Sequence, residues 1–561
     1  MAHSVAPVEP SVYVPISGLT AEGSDDDRAN FVVVPLSPTV PDLTFSVAHS
    51  PAPVAEYLIE ELLVLIFGIL ITADTSHLRI LNQVCRRWRD IILSSPLLWT
   101  TSLDLTTSPE WVYEVCKRMD TLPFDLFISE IFHEPSQYLM TNSLMVMEQH
   151  FHRCRSLEIE LVADAIGQIL GGEDLYTLSL PFLQTVSIFN TLADGHYEIQ
   201  GTLLSIYAPN LRQLRLWRCS FDWQTFVSGN MFTSSCLSVL HLKNLGEDCR
   251  PTVPEFVSML ASASVLHEVE IQNALGFGRR ESGTEPMQTL QLANLVTLRI
   301  SDHIVLCTAL LGAIVAPSLS HLTVGAAATT DSLGDLIGSF VDSVATFSKK
   351  QVDTVTVFYE DRTITVNATT SFRTDDIWED IFLSITVLWD LPRNVVADGD
   401  LSGPHLSRAA GALLRMPFLH TATHLQVIPD PVMADVSPDT WCQILHSFVA
   451  VTTLELGPYS THLLTDLYFD VVQAEILVYH NWAIQLPSLR TISVPHLRVL
   501  FHMAVMIKGL RTRAGFTSLE TIISTPCEMR GMSHPDPEVL FLIAFTRFIS
   551  YGYTGSHSVI Y

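Results

Sequence analysis

The chain has 561 residues, 48% of them hydrophobic and only 16% charged, with 59 acidic against 31 basic side chains and a formal net charge of −28. So much apolar material excludes wholesale disorder, and so strong an acidic excess argues against broad binding to nucleic acid or an anionic membrane, both of which need basic surface. At about 150 residues per domain the length would suggest three or four domains unless the chain repeats itself, so repeats are the first question.

The nine cysteines are scattered, odd in number and contain no Cys-x-x-Cys pair, which speaks against a disulfide framework or a cysteine-rich zinc site. Free cysteines beside apolar residues behave as small buried hydrophobes, and the expectation is a reduced intracellular protein, cytoplasmic or nuclear or both. Residues 1–20 contain no Lys or Arg and are interrupted by Pro7, Pro10 and Pro15, unlike a signal peptide. The most apolar stretch, Leu62 to Ile71, is ten residues long where a membrane helix needs about twenty, so no spanning segment is expected.

In chain order, residues 1–55 carry eight prolines and the run Asp25-Asp26-Asp27, and read as a tail without its own core. Glu56 to Leu70 and His77 to Leu93 then read as two apolar-rich helices separated by the polar Thr72-Ala73-Asp74-Thr75-Ser76, with Ser76 as N-cap of the second. The first gathers Leu58, Leu62, Leu65 and Ile66 on one face, more apolar surface than a module of about 45 residues can bury, so it wants a partner. The second is expected to turn Leu81, Val84, Cys85, Trp88 and Ile92 inward and Arg79, Arg86, Arg87 and Arg89 outward. Another helix is expected over Glu110 to Met119.

From about residue 150 a pattern L-x-x-L-x-L recurs, opening at Cys154, Leu183, Leu211, Leu237, Leu266, Leu295 and Leu319, with steps of 29, 28, 26, 29, 29 and 24 residues. It resumes at Val352, Ala422, Val451, Leu489 and Leu519, with looser steps. The alternating half of each unit is strand chemistry, and helix-like runs such as Glu255 to Ser262 and Asp331 to Val344 lie between units. One strand and one helix repeated at this period predict a leucine-rich-repeat solenoid, with parallel strands on the concave face and helices outside. The gap between Val352 and Ala422 is expected to hold a hairpin (Thr354 to Tyr359, Thr363 to Asn367), a helix around Asp375 to Trp389 and another near Leu406 to Met416. Glu538 to Ile549 reads as a terminal capping helix.

The segment Leu58-Ile59-Glu60-Glu61-Leu62-Leu63-Val64-Leu65-Ile66-Phe67, followed by Leu78-x-x-Leu81-x-x-Val84-Cys85-Arg86-Arg87-Trp88-Arg89 and then Ser95-Pro96-Leu97-Leu98-Trp99, resembles the F-box of fungal F-box proteins with a leucine-rich-repeat C-terminal part. Ile59 stands where that family has proline. The resemblance implies an α/β chain made of a three-helix F-box and a repeat solenoid. Its expected parts are a tail at 1–55, an F-box at 56–102, a linker or cap at 103–150, the solenoid at 151–535 with an irregular insertion about 359–420, and a C-terminal cap at 536–561. It further implies a Skp-class adaptor as partner, with cullin reached through it, and an adaptor-facing apolar set of Leu58, Leu62, Ile66, Phe67, Leu81, Val84, Cys85 and Trp88, some serving contact and others the module's own packing. The function implied is substrate recognition in a Skp–cullin–F-box ubiquitin ligase; the alternatives are a repeat scaffold that binds the adaptor without ligase function, an enzyme built on the solenoid with converging titratable groups in a deep pocket, and two helices that merely cap the solenoid.

The target is expected on the concave face. In each repeat the L-x-L residues face inward, so Arg215, Trp217, His241, Lys243, Glu270, Gln272, Arg299 and Glu455 project from the strands, with Trp217 as a candidate anchor unless a neighbouring loop covers it. No Gly-x-Ser-x-Gly elbow, phosphate loop or His-Glu-x-x-His motif occurs, and His150-x-His152-x-Cys154 fits the start of a strand without a metal. The expectation is a binding protein rather than an enzyme, with no cofactor and no metal.

Overall fold

The computed structural model describes residues 58–129 except 75, 101 and 102, then 136–170, 179–191, 195–199, 207–228, 236–277, 289–347, 352–360, 363–369, 381–390, 409, 411–429, 445, 448–457, 486–495 and 521–525. The expected tail at 1–55 and the C-terminal part at 536–561, with its helix, lie outside these residues.

The chain opens with helices α1 (Glu60–Ala73), α2 (His77–Val84) and α3 (Arg86–Ser94), a 3-10 turn at Pro96–Trp99, and α4 (Pro109–Arg118). Strand β1 (Phe124–Ser129), helix α5 (Gln137–His150), β2 (Cys154–Leu161) and α6 (Ala163–Leu170) follow. The strands continue as β3 (Thr185–Asn190), β4 (Tyr197–Glu198), β5 (Gln213–Trp217), β6 (Cys219–Ser220), β7 (Val239–Lys243), β8 (Glu268–Gln272), β9 (Leu290–Gln291), β10 (Thr297–His303), β11 (Ile314–Val315) and β12 (His321–Thr329). The last are β13 (Thr354–Glu360), β14 (Thr363–Thr369), β15 (Ile381–Asp390), β16 (His424–Pro429), β17 (Thr453–Leu456), β18 (Thr491–Pro495) and β19 (Thr521–Thr525).

Fifteen of these strands form one sheet in the order β1-β2-β3-β5-β7-β8-β10-β12-β15-β14-β13-β16-β17-β18-β19. The pairing is parallel except around β14, which runs antiparallel to both its neighbours. Every repeat opening read from the sequence leads into a strand of this sheet. The fourth-position residues Leu157, Val186, Leu214, Leu240, Val269, Leu298 and Leu322 sit side by side, as do the sixth-position residues Ile159, Ile188, Leu216, Leu242, Ile271, Ile300 and Val324. All of them are buried. A near-constant step along the chain puts like residues in lateral register, so the apolar pattern of one unit becomes a continuous core. Helices Val253–Leu260 and Ile304–Ala313 close that core, the first held by a capping box in which Thr252 and Glu255 bond each other's backbone amides.

Three successive strands, β5, β7 and β8, are each followed by a left-handed residue: Arg218 (φ 52°), Asn244 (φ 49°) and Asn273 (φ 46°). Their amides donate to Lys243 O, Gln272 O and Ser301 O on the next strand, so the corner that ends one repeat is pinned to its neighbour. Asparagine tolerates this conformation better than other non-glycine residues, which fits its place at two of the three corners.

The irregular segment differs from expectation. The hairpin forms as β13 and β14, but the helix expected around Asp375 to Trp389 is instead strand β15, parallel to β12 and antiparallel to β14. Leu383, Ile385 and Val387 are buried while Ser384 and Thr386 are not, a period of two rather than 3.6. After β12 the chain leaves two strand positions vacant, places β13 beyond them, and returns to fill the gap with β14 and β15. Near Leu406 to Met416, residues 409 and 411–413 are helical, followed by a 3-10 turn at Pro417–Thr421. Strand β1 was not foreseen: Phe124, Leu126 and Ile128 alternate inward, but Pro123 stands where the repeat pattern asks for an apolar opener. Gly276 has a packing reason, since a Cβ there would lie 2.8 Å from Arg250 O. Among the described residues no helix is long and apolar enough to cross a membrane.

Candidate functional site

Helix α1 buries only a narrow stripe, Leu63, Phe67 and Ile71. The adjoining stripe stays outside at i, i+3, i+4 and i+7 spacing: Leu62 is 45%, Leu65 62%, Ile66 39% and Ile69 64% exposed. Leu70, Ile80, Val84, Leu93 and Leu97 of the same helical region are exposed as well. Part of this surface is concave, a groove of about 580 Å³ lined by Val64, Leu65, Gly68, Ile69, Leu97 and Leu98. Soluble proteins rarely leave so many contiguous large apolar side chains to water without a partner for them.

The expected single helix from His77 to Leu93 is two helices. Cys85 takes an extended conformation (φ −156°, ψ 168°) between α2 and α3, and its Sγ accepts a hydrogen bond from Trp88 N at 3.5 Å, so the thiol acts as the N-cap of α3. Ser76, the expected cap of α2, forms no side-chain capping bond; Asp74 Oδ1 accepts from Ser76 N at 2.8 Å instead. Val84, the last residue of α2, and Cys85 at the break face outward rather than inward.

The structure thereby sorts the apolar set read from the sequence. Phe67 is fully buried with its ring 4.9 Å from that of Trp88, and Leu81 is buried too, so both belong to the interior of the helical module. Leu62, Ile66, Val84 and Cys85 are on the surface, Trp88 is half-buried, and Leu58 lies just before α1. Leu65, which the sequence places on the partner-seeking face but outside the adaptor-facing set, belongs with the exposed group, as does Ile69, whose i+7 spacing from Leu62 carries the signal. The basic residues are not uniformly solvated: the Arg79 guanidinium lies 4.7 Å over the Trp111 ring, and Arg89 Nε donates to Asn82 O. Trp99, buried, donates Nε1–H to Ile92 O and stacks under Arg118, which ties the helices to α4.

On the sheet, the outward residues of successive strands form lateral rows. One row runs Glu158, Ser187, Arg215, His241, Glu270, Arg299, and the next runs Glu160, Phe189, Trp217, Lys243, Gln272, Ser301. Seven of the eight expected residues therefore share one surface on β5, β7, β8 and β10. Glu455 does not: it lies on β17, with five strands between it and Arg299, and is paired with His424 at 3.3 Å. That hydrogen bond from His424 holds the Glu455 carboxyl below its usual range.

Much of the charge on this surface is already matched. Lys243 Nζ is 2.8 Å from Glu270 Oε1, and Arg299 is 3.3 Å from Glu268 Oε1, a residue the sequence reading did not select. His241 sits between Glu268 and Glu270, at 3.2 and 3.5 Å, yet burial pushes its imidazole below the usual range. Trp217 is 37% exposed, edge-on to Phe189 at 5.8 Å with Lys243 Nζ 5.8 Å from its ring centroid, so no loop covers it completely.

Burial raises the thiols of Cys154 and Cys219 and holds Cys116 at about 11, the opposite of nucleophile activation. Among the described residues no group of three or more His, Cys, Asp or Glu is placed to hold a metal ion.

Residues 60–103 match the F-box-like family model, so the chain carries an F-box-like domain at its helical N-terminal end. Among solved structures the chain is similar to the leucine-rich repeat-containing protein LegL7 from Legionella pneumophila, at 12% identity, covering 78% of this chain and 99% of that one with a TM-score of 0.24. No curated protein matches the chain.

Proposed function

We propose that this protein is a target-recognition subunit of a Skp–cullin–F-box ubiquitin ligase: the F-box-like helices dock on a Skp-class adaptor, the adaptor connects to cullin, and the sheet receives a target protein. The observation that carries this reading is the open apolar stripe Leu62, Leu65, Ile66 and Ile69 on the domain whose family generally binds such adaptors. Each of these side chains is roughly half exposed, so covering them contributes on the order of 1 kcal/mol apiece before the costs of association. The chain itself contributes no bond-making group; its role is proximity, which raises the effective concentration of target lysines near an activated ubiquitin supplied by the rest of the complex. Target contact falls to Arg215, Trp217, His241, Lys243, Glu270 and Arg299, with Glu455 left out because of its distance.

The test is capture of a purified Skp-class adaptor by the full chain. Leu62→Ala with Ile66→Ala is expected to weaken capture by about tenfold or more, as truncation of central apolar anchors does elsewhere. Undiminished capture by a folded double variant would refute the docking surface, and adaptor capture without cullin recruitment would favour a scaffold instead.

A further inference from the structure

The open part of the sheet has a polarity that runs across its strands. On β2, Glu158 and Glu160 face outward, and neither forms an ion pair with a described residue; Glu160 accepts a hydrogen bond from the Ser129 hydroxyl, at 3.1 Å. On β3 and β5, Phe189 and Trp217 make an aromatic pair. On β5, Arg215 is the one cation of the selected group without an ion pair among the described residues, because Lys243 and Arg299 are matched by Glu270 and Glu268. Acid, aromatic and base thus follow one another along the rows.

An independent sign of an unfilled polar site lies at its centre. Ser187, between Glu158 and Arg215 in the row, is completely buried and its Oγ has no hydrogen-bond partner. Arg215 Nε, at the next position along, is likewise enclosed without a hydrogen bond among the described residues, whereas His241 Nε2 beyond it faces Glu268 Oε1 at 3.2 Å. Two neighbouring strands, β3 and β5, therefore each hold a buried polar atom lacking a hydrogen bond among the described residues, which costs free energy.

Parallel strands are spaced by about 4.8 Å, so Glu158 and Arg215 are roughly 10 Å apart at the backbone, and Glu160 and Lys243 roughly 14 Å. An extended peptide rises about 3.3 Å per residue and turns residues i, i+2 and i+4 to the same side, so its first and fifth side chains are about 13 Å apart with the third between them. We propose that this face, over β2, β3, β5 and β7, binds an extended target segment of the form basic–x–apolar–x–acidic, in one or the other chain direction. The basic side chain meets Glu158 and Glu160, the apolar or aromatic one packs on Phe189 and Trp217, and the acidic one meets Arg215. The inference rests on the reading of the sheet as the target-receiving surface and adds the chemistry of the target.

The test uses the purified full chain and fluorescein-labelled peptides of about nine residues in fluorescence anisotropy. Each has a central Phe, Ser and Thr as filler, and flanking residues two positions away chosen as Lys/Glu, Glu/Lys, Lys/Lys or Glu/Glu. One mixed-charge peptide is expected to bind about tenfold more tightly than either like-charge peptide, and Arg215→Gln or Trp217→Ala to reduce that binding about tenfold. Arg215→Glu should move the preference to the Lys/Lys peptide. Equal binding of all four peptides, no binding of either mixed peptide at about 1 mM, or binding indifferent to Arg215→Gln in a chain with an unchanged circular dichroism spectrum would overturn the proposal. Because no adaptor is present, this outcome is separate from docking: adaptor capture by the same variants should be unchanged, and its failure in the unaltered chain would sink the ligase reading alone.

Discussion

The leucines of α1 and the leucines of the sheet share a sequence character and meet opposite fates. In the sheet, Leu214, Leu240 and Leu298 are wholly buried, because each has a like residue on the neighbouring strands and helices packed behind. In α1, Leu62, Leu65, Ile66 and Ile69 are as apolar and as regularly spaced, yet they remain outside. Periodicity predicts which residues share a face, and whether that face is covered depends on how much facing surface the rest of the chain supplies. A repeat array supplies it to every inner unit, whereas a short helical module at one end does not.

This contrast is easiest to break in the core. Leu240→Ala should destabilise the chain by about 2–5 kcal/mol, since the array cannot collapse around one missing side chain without shifting the strands on both sides. Chemical denaturation would measure it, and a loss below 1 kcal/mol would mean that the sheet repacks freely. A smaller effect is expected at the buried Asp302, whose Oδ2 accepts from Ala274 N and Leu275 N at 3.0 Å each and whose Oδ1 accepts from His303 N at 2.7 Å. Asp302→Ala strands those amides and should cost about 1.5–3 kcal/mol, with Asp302→Asn recovering part of the loss. Smallest of all is Leu65→Ser on the open stripe. Its effect on stability should stay within about 0.5 kcal/mol while adaptor capture falls, and a large loss of stability would show that α1 is covered after all.

The sheet contains a second contrast of the same kind. On β5 to β10 the outward residues are charged, aromatic or polar and partly open, while on β13 and β14 the outward Thr356 and Asn367 are buried, as are the inward valines beside them. There Thr356 Oγ1 donates to Gln426 Oε1, and Asn367 Oδ1 accepts from Ser384 Oγ. The face is therefore not a uniform surface from end to end, which is why Glu455, chosen by the same spacing rule as Arg215, does not share its site.

The L-x-x-L-x-L spacing was enough to place the strands, their inward residues and their lateral order, because each of those depends on local alternation and on a step that hardly varies along the chain. The F-box-like segment was likewise legible from Leu62 to Trp99, since its residues follow one another at fixed intervals. The burial of Leu81 follows the inward face read from the sequence, whereas the break at Cys85 and the burial of Phe67 were decided only in three dimensions. A thiol can cap a helix only where the chain has already turned, and a ring is interior only where side chains distant in sequence, here Trp88 over Phe67, close over it. In Ile381–Asp390 the alternation of Leu383, Ile385 and Val387 with Ser384 and Thr386 is a strand signal already present in the sequence, and only its place between β12 and β14 depended on the sheet. Charge pairing was the least legible, because the partners of Lys243 and Arg299 are 27 and 31 residues away in sequence and become neighbours only when the repeats stack.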